Sequence, residues 1–142
     1  MKRVMHRFGA ILAMFCISTF FLSTLVVELF GSLESVATVK SLIVMPGLFI
    51  LIPAIAMTGA TGFSMSGARK TPLLDAKKKR MPFIAANGLL VLLPCAIVLN
   101  QWAATGLFDS RFYGLQGLEL FAGAVNLTLM GLNMRDGLKL RK

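Results

Sequence analysis

Charge is scarce in this chain: only 15% of its 142 residues are Asp, Glu, Lys or Arg, where soluble domains carry about 25%. Histidine is nearly absent, with His6 alone, which excludes a bis-histidine haem within one chain and leaves a structural zinc site without ligands. The two cysteines, Cys16 and Cys95, both fall inside apolar stretches and form no CxxC pair. They read as small buried hydrophobes rather than as a disulfide or a redox centre. No Walker sequence, GxGxxG or Ser-His-Asp set is present. The glycine-rich "TGATG" from Thr58 to Gly62 reads as a helix end and a turn. Alternating strands of about 10 residues are also missing, so a membrane β-barrel is not expected.

What the chain has in quantity is apolar residues, 56% of the total. They come in four stretches, about 8–30, 39–60, 82–103 and 112–134. A helix needs about 20 residues to cross a hydrocarbon core of about 30 Å. Backbone groups in lipid must be paired within the segment, so such spans are helices. The expected fold is all-α: one transmembrane domain over residues 1–142, an integral membrane four-helix bundle. The two outer loops are short. A longer loop, 61–81, joins the second and third helices. Lys2, Arg3 and Arg7 before the first apolar run have the order of a signal peptide. The run is too long for a signal core and no small-residue cleavage site follows it, so this helix is expected to be retained.

A net charge of +9 would suggest nucleic acid in a soluble protein, but the placement of the charge argues otherwise. Thirteen of the fifteen basic residues flank the helices on one side, leaving Lys40 and Arg111 on the other. The positive-inside rule then puts both termini and the 61–81 loop in the cytoplasm. The basic residues Arg69, Lys70, Lys77, Lys78, Lys79 and Arg80 become a membrane edge, contacting anionic lipid head groups or a partner. Nucleic acid is not an expected partner, because the run lacks interleaved aromatics. At the outer edge, Glu28, Glu34, Lys40, Asp109 and Arg111 are expected to be solvated, with Trp102 and Tyr113 as interfacial belt residues.

The last apolar stretch carries the clearest polar pattern. Gln116, Glu119, Gly123, Asn126, Met130 and Asn133 follow one another at spacings of three and four, so they share one helix face. A face holding Gln, Glu and two Asn looks into the bundle, a partner or a polar cavity. Asn87, Val91, Pro94, Val98 and Gln101 form a second seam in the third helix. If the two seams pack antiparallel, Asn87 meets Asn133 and Gln101 meets Gln116 or Glu119. Glu119 has two readings here. It is a proton or cation site, or a structural group that is neutral or hydrogen-bonded to a neighbour such as Gln101, Asn100 or a hydroxyl of the first helix. Interior Pro46, Pro53 and Pro94 read as static kinks that shape packing, or as marking a hinge or a cavity.

Two segments, "KKKRMPFIAANG" (Lys77 to Gly88) and "NLTLMGLNMRDGLKL" (Asn126 to Leu140), resemble a family of small four-helix bacterial inner-membrane proteins with no assigned activity. The resemblance covers about residue 39 to the C-terminus. It implies a bacterial inner membrane and the same topology, and it transfers no catalytic residue.

The reading that follows is a non-enzymatic membrane subunit or assembly and scaffold protein. It would pack against other membrane helices or a second copy of itself. The alternative is a small oligomeric transporter or channel built around Glu119. A third reading is a redox protein holding haem or quinone, with His6 and a methionine as weak haem ligands, or Glu119 and the amides, at the site. No catalytic residue, metal or resident cofactor is expected.

Overall fold

A computed structural model describes residues 1–67 and 70–140 of the chain. Among these, every regular element is helical. Four helices are long and apolar enough to cross a membrane: α1 (Lys2–Phe30), α2 (Leu33–Met65), α3 (Pro72–Ala104) and α4 (Ser110–Lys139). They run alternately up and down, so the start of α1, the end of α2, the start of α3 and the end of α4 share one end of the bundle.

Each helix runs past its apolar stretch. Ser32 caps α2 by accepting from the Ser35 amide, Thr71 caps α3 by accepting from the Leu74 amide, and Asp109 accepts from two amides at the start of α4. Caps of this kind satisfy amides that have no partner in the first turn. Pro72, just inside α3, needs no amide partner there. Residues Asp75 to Met81 are therefore helical rather than loop. Alanine, lysine and arginine favour helix in water as well as in lipid.

Both central helices are interrupted. In α2 the break falls at Met45, whose backbone is extended (φ −143°, ψ 116°), and the Met45–Pro46 peptide is cis. A residue before proline is driven out of the helical region by the proline ring. In α3 the turn Gly88–Leu92 is π-helical, with the Leu93 amide donating to the Gly88 carbonyl. Pro94 has no amide to donate and its ring crowds the preceding turn, so one extra residue is accommodated there.

That extra residue changes which side of α3 faces inward. Beyond the π turn, Cys95, Leu99 and Trp102 pack into the core, while Pro94 and Gln101 are exposed. Trp102 thus packs against the core cluster rather than standing only as an interfacial belt residue.

Two apolar clusters hold the bundle. Ala13, Cys16 and Ile17 of α1 meet Leu51 and Ala54 of α2. At the other end, Val36 of α2 meets Cys95, Leu99 and Ala103 of α3 and Phe112 of α4. The α1–α2 approach is close: a Cβ on Gly9 would lie 2.6 Å from Thr58 Oγ1 and 3.0 Å from the Ala54 carbonyl oxygen. Both cysteines are free and buried.

Candidate functional site

The polar residues of the bundle interior form three groups along its length. The first lies at the end shared by the termini. Arg80 of α3 donates to Asp136 at 2.6 Å and to Asn133 at 3.3 Å, and Arg135 also pairs with Asp136. Asp136 is only 1% exposed, so its charge is neutralised almost entirely by these two guanidinium groups. Arg80 is therefore an interior ion-pair partner, not a free member of the basic edge. Lys77, one turn before it, is also half turned inward, with Nζ 3.1 Å from where a Gly137 Cβ would stand. Lys70, Lys78 and Lys79 are exposed. Arg69 lies outside the described residues. His6 sits at the same end, with Nδ1 3.0 Å from the Thr58 carbonyl and 3.2 Å from the Thr61 hydroxyl, tying α1 to α2.

The second group is midway. Asn87 donates through one amide nitrogen to Asn126 Oδ1 and to the Ala122 carbonyl, each at 2.9 Å, and Asn126 donates to the Ile84 carbonyl at 3.3 Å. The α3 and α4 seams do meet antiparallel, but one heptad away from the expected offset. Asn87 meets Asn126, and Asn133 meets Arg80. A heptad seam defines a face and permits any axial shift of seven residues. The Arg80–Asp136 pair and the asparagine bonds select the shift that forms. Gln101, turned outward by the π turn, reaches neither Gln116 nor Glu119.

The third group lies toward the opposite end and was largely hidden in the sequence. Lys40 of α2 donates to Glu119 Oε1 of α4 at 2.8 Å, and its side chain is fully buried while that of Glu119 is 12% exposed. Lys40 was expected among solvated edge charges. Helix α2 starts at Leu33, however, and Val36, Lys40 and Ile43 fall on its inward face. Lys40 is thereby carried about two turns into the bundle. The signal that could have found it is Ser32, whose cap fixes the helix start well before Val39.

Three more polar side chains lie at the level of this pair. Gln116 lies one turn before Glu119 and is 3% exposed. Thr24 and Glu28 lie one turn apart on α1, Thr24 almost wholly buried and Glu28 half-buried. Phe21 packs 3.3 Å from where a Gly123 Cβ would stand. That contact brings Thr24 and Glu28 level with Glu119 and Gln116 on the antiparallel α4. The charges of both Lys40 and Glu119 act on Glu28. Among the described residues, Thr24 Oγ1, Glu28 Oε1, both amide atoms of Gln116 and Glu119 Oε2 are buried without a hydrogen-bond partner. Among the described residues, no three His, Cys, Asp or Glu side chains are grouped to hold a metal ion.

Beside these groups is a cavity of about 290 Å³, bounded by all four helices. Its wall is apolar except for Glu119 and Asn126. Both helix interruptions border it, through Ile43 and Leu48 of α2 and Gly88 and Leu92 of α3. Ile52 and Leu89, on its rim, are also exposed at the outer surface. The cavity thus opens sideways, between α2 and α3.

No protein-family model, curated protein or solved structure matches the chain.

Proposed function

We propose that this protein is a small non-enzymatic carrier in a bacterial inner membrane. It holds a lipophilic, chain-bearing molecule in the cavity between its helices, with both termini and the α2–α3 connection in the cytoplasm. The observation that carries this reading is the cavity itself. It is apolar, it opens sideways toward the region where lipid tails would lie, and one wall bears the Lys40–Glu119 pair. Its volume is near the lower end of the range for ligand sites, about 300–1,000 Å³. The class includes acyl and isoprenoid chains, and so quinones.

The two helix interruptions support a site rather than a packing defect. A helix broken at mid-depth is tolerated in lipid where it is covered by protein or lines a cavity. Both interruptions, at Met45–Pro46 and at Gly88–Leu92, border this one cavity. Broken helices around a central site are also the construction of many transporters. The cytoplasmic assignment of the termini rests on the basic residues at their end. The bacterial inner membrane rests on the resemblance of Lys77–Gly88 and Asn126–Leu140 to small proteins of that membrane.

The test is photo-crosslinking in membranes with a diazirine-bearing acyl chain. Adducts are expected on Ile17, Leu51 or Leu120, which line the cavity away from the outer surface, suppressed by competing lipophile. Labelling confined to outward side chains such as Phe15 and Phe121 would contradict the reading.

A second reading, a non-enzymatic subunit or scaffold that packs against other membrane helices, is supported by the outer face of α4. Gly114, Gly117, Ala124 and Thr128 are exposed there at spacings that keep them on one side. Such a face admits close approach of another helix. Co-purification of a second membrane protein at fixed ratio, lost on Gly117→Leu, would favour it over the carrier.

A further inference from the structure

The group around Lys40, in which Glu28 is half-buried, does not balance its own charge. Glu28 and Glu119 bring two carboxylates and Lys40 brings one ammonium. In the interior of a bundle, an uncompensated charge is costly unless it is paired or neutralised. Among the described residues, the buried side-chain oxygens without a hydrogen-bond partner are Glu28 Oε1, Glu119 Oε2, Thr24 Oγ1 and Gln116 Oε1, and Gln116 Nε2 is unpartnered beside them. They belong to two helices that run antiparallel side by side, at the same level. Gln116 and Thr24 are each more than nine-tenths buried, so neither satisfies its polar atoms with bulk water.

We propose that Glu28, Thr24, Gln116 and Glu119 form a binding site for one monovalent cation, a proton or an alkali-metal ion, opposite the fixed ammonium of Lys40. The donor chemistry is that of a hard cation, all oxygen with no thiolate or imidazole. The charge is that of a single positive ion, since a divalent ion beside Lys40 would turn the deficit into an excess. Glu119 Oε1 is engaged by Lys40, which leaves Oε2 for the ion. Among the described residues Glu28 makes no direct ion pair, and it is the carboxylate whose charge the ion balances. The titratable and charged groups facing this site are Lys40 from α2, Glu119 from α4 and Cys95 from α3, which feels the charges of both.

The site is distinct from the apolar cavity, although Glu119 borders both. A cation that loosens the hold of Lys40 on Glu119 would act on the cavity wall. Cation binding itself needs no lipophile, and its test uses none.

The experiment takes the full chain in mild detergent and exchanges choline chloride for NaCl or KCl at constant ionic strength. Thermal unfolding and the fluorescence of Trp102, the one tryptophan in the chain, are followed together. For an alkali-metal ion, a saturable rise of several degrees in Tm is expected, with loss of the response in Glu28→Gln. For a proton, the salts are equivalent. Infrared difference spectra then show a protonated carboxyl at neutral pH that disappears in Glu28→Gln. If Glu28→Gln does not fold, Thr24→Val and Glu28→Asp serve in its place: a displaced cation affinity or a shifted carboxyl band is expected in both. The absence of both a salt-specific response and a protonated carboxyl in the wild type would overturn the proposal, and would leave the cavity reading standing.

Discussion

Lys40 and Glu119 are 79 residues apart in the chain and 2.8 Å apart in the bundle. Their ion pair joins α2 to α4, and no solvent reaches the lysine. Breaking a buried pair by removing one partner costs about 3–5 kcal/mol, because the other charge is left uncompensated. Replacing both with apolar residues removes that penalty. Lys40→Met and Glu119→Leu are each expected to lower Tm sharply in detergent, and the double variant to recover most of the loss. Additive losses would show that the two side chains do not depend on one another.

Asn87 and Gln101 test the register of α3 against α4. Asn87→Ala removes two hydrogen bonds to α4, each worth about 1 kcal/mol in a membrane setting. A loss of about 1–2 kcal/mol is expected in unfolding measurements. Gln101→Ala removes an exposed side chain and should change stability by less than about 0.5 kcal/mol. The opposite order would restore the pairing that the spacing of residues alone suggests.

The contrast explains what was legible. Four helices follow from four apolar stretches, because the length of a span and the need to pair backbone groups leave little else. The inward face of α4 follows from the spacing of Gln116, Glu119, Asn126 and Asn133. Two things did not follow. The axial offset of α3 on α4 depends on one ion pair and two amides, which a repeating seam does not single out. The inward face of α3 beyond Leu92 depends on one inserted residue in a π turn, which moves every later position around the helix. Lys40 differs for a third reason: its charge alone suggests the edge, whereas the cap at Ser32 starts α2 early enough to carry it inside.

The basic run divides by face. Arg80 pairs with Asp136 inside the bundle end, while Lys78 and Lys79 are exposed. Arg80→Ala is expected to destabilise the fold by about 1.5–3 kcal/mol, the scale of a hydrogen bond to a charged group, with Arg135 left to neutralise Asp136. The pair Lys78→Ala and Lys79→Ala should leave Tm nearly unchanged. It should instead reduce the anionic lipid that co-purifies with the protein, since each basic residue near such a surface is worth about 1 kcal/mol. Phosphorus quantification by headgroup class reads the difference.

The proposed orientation has its own test. The native Cys16 and Cys95 are buried, so a cysteine introduced at Lys78 is the accessible thiol. In inside-out vesicles it should react with a membrane-impermeant maleimide, and in right-side-out vesicles it should not. The reverse pattern would place both termini on the other side.

The most direct measurement of the central claim is native mass spectrometry of the full chain released from mild detergent, beside the variant Ala96→Leu. Ala96 is buried and lines the cavity, and the larger side chain fills space there. The account predicts a bound lipophile of defined mass on the wild type, at one per chain, that is lost or weakened several-fold in Ala96→Leu. Bare protein in both, or the same adducts at the same occupancy in both, would contradict it.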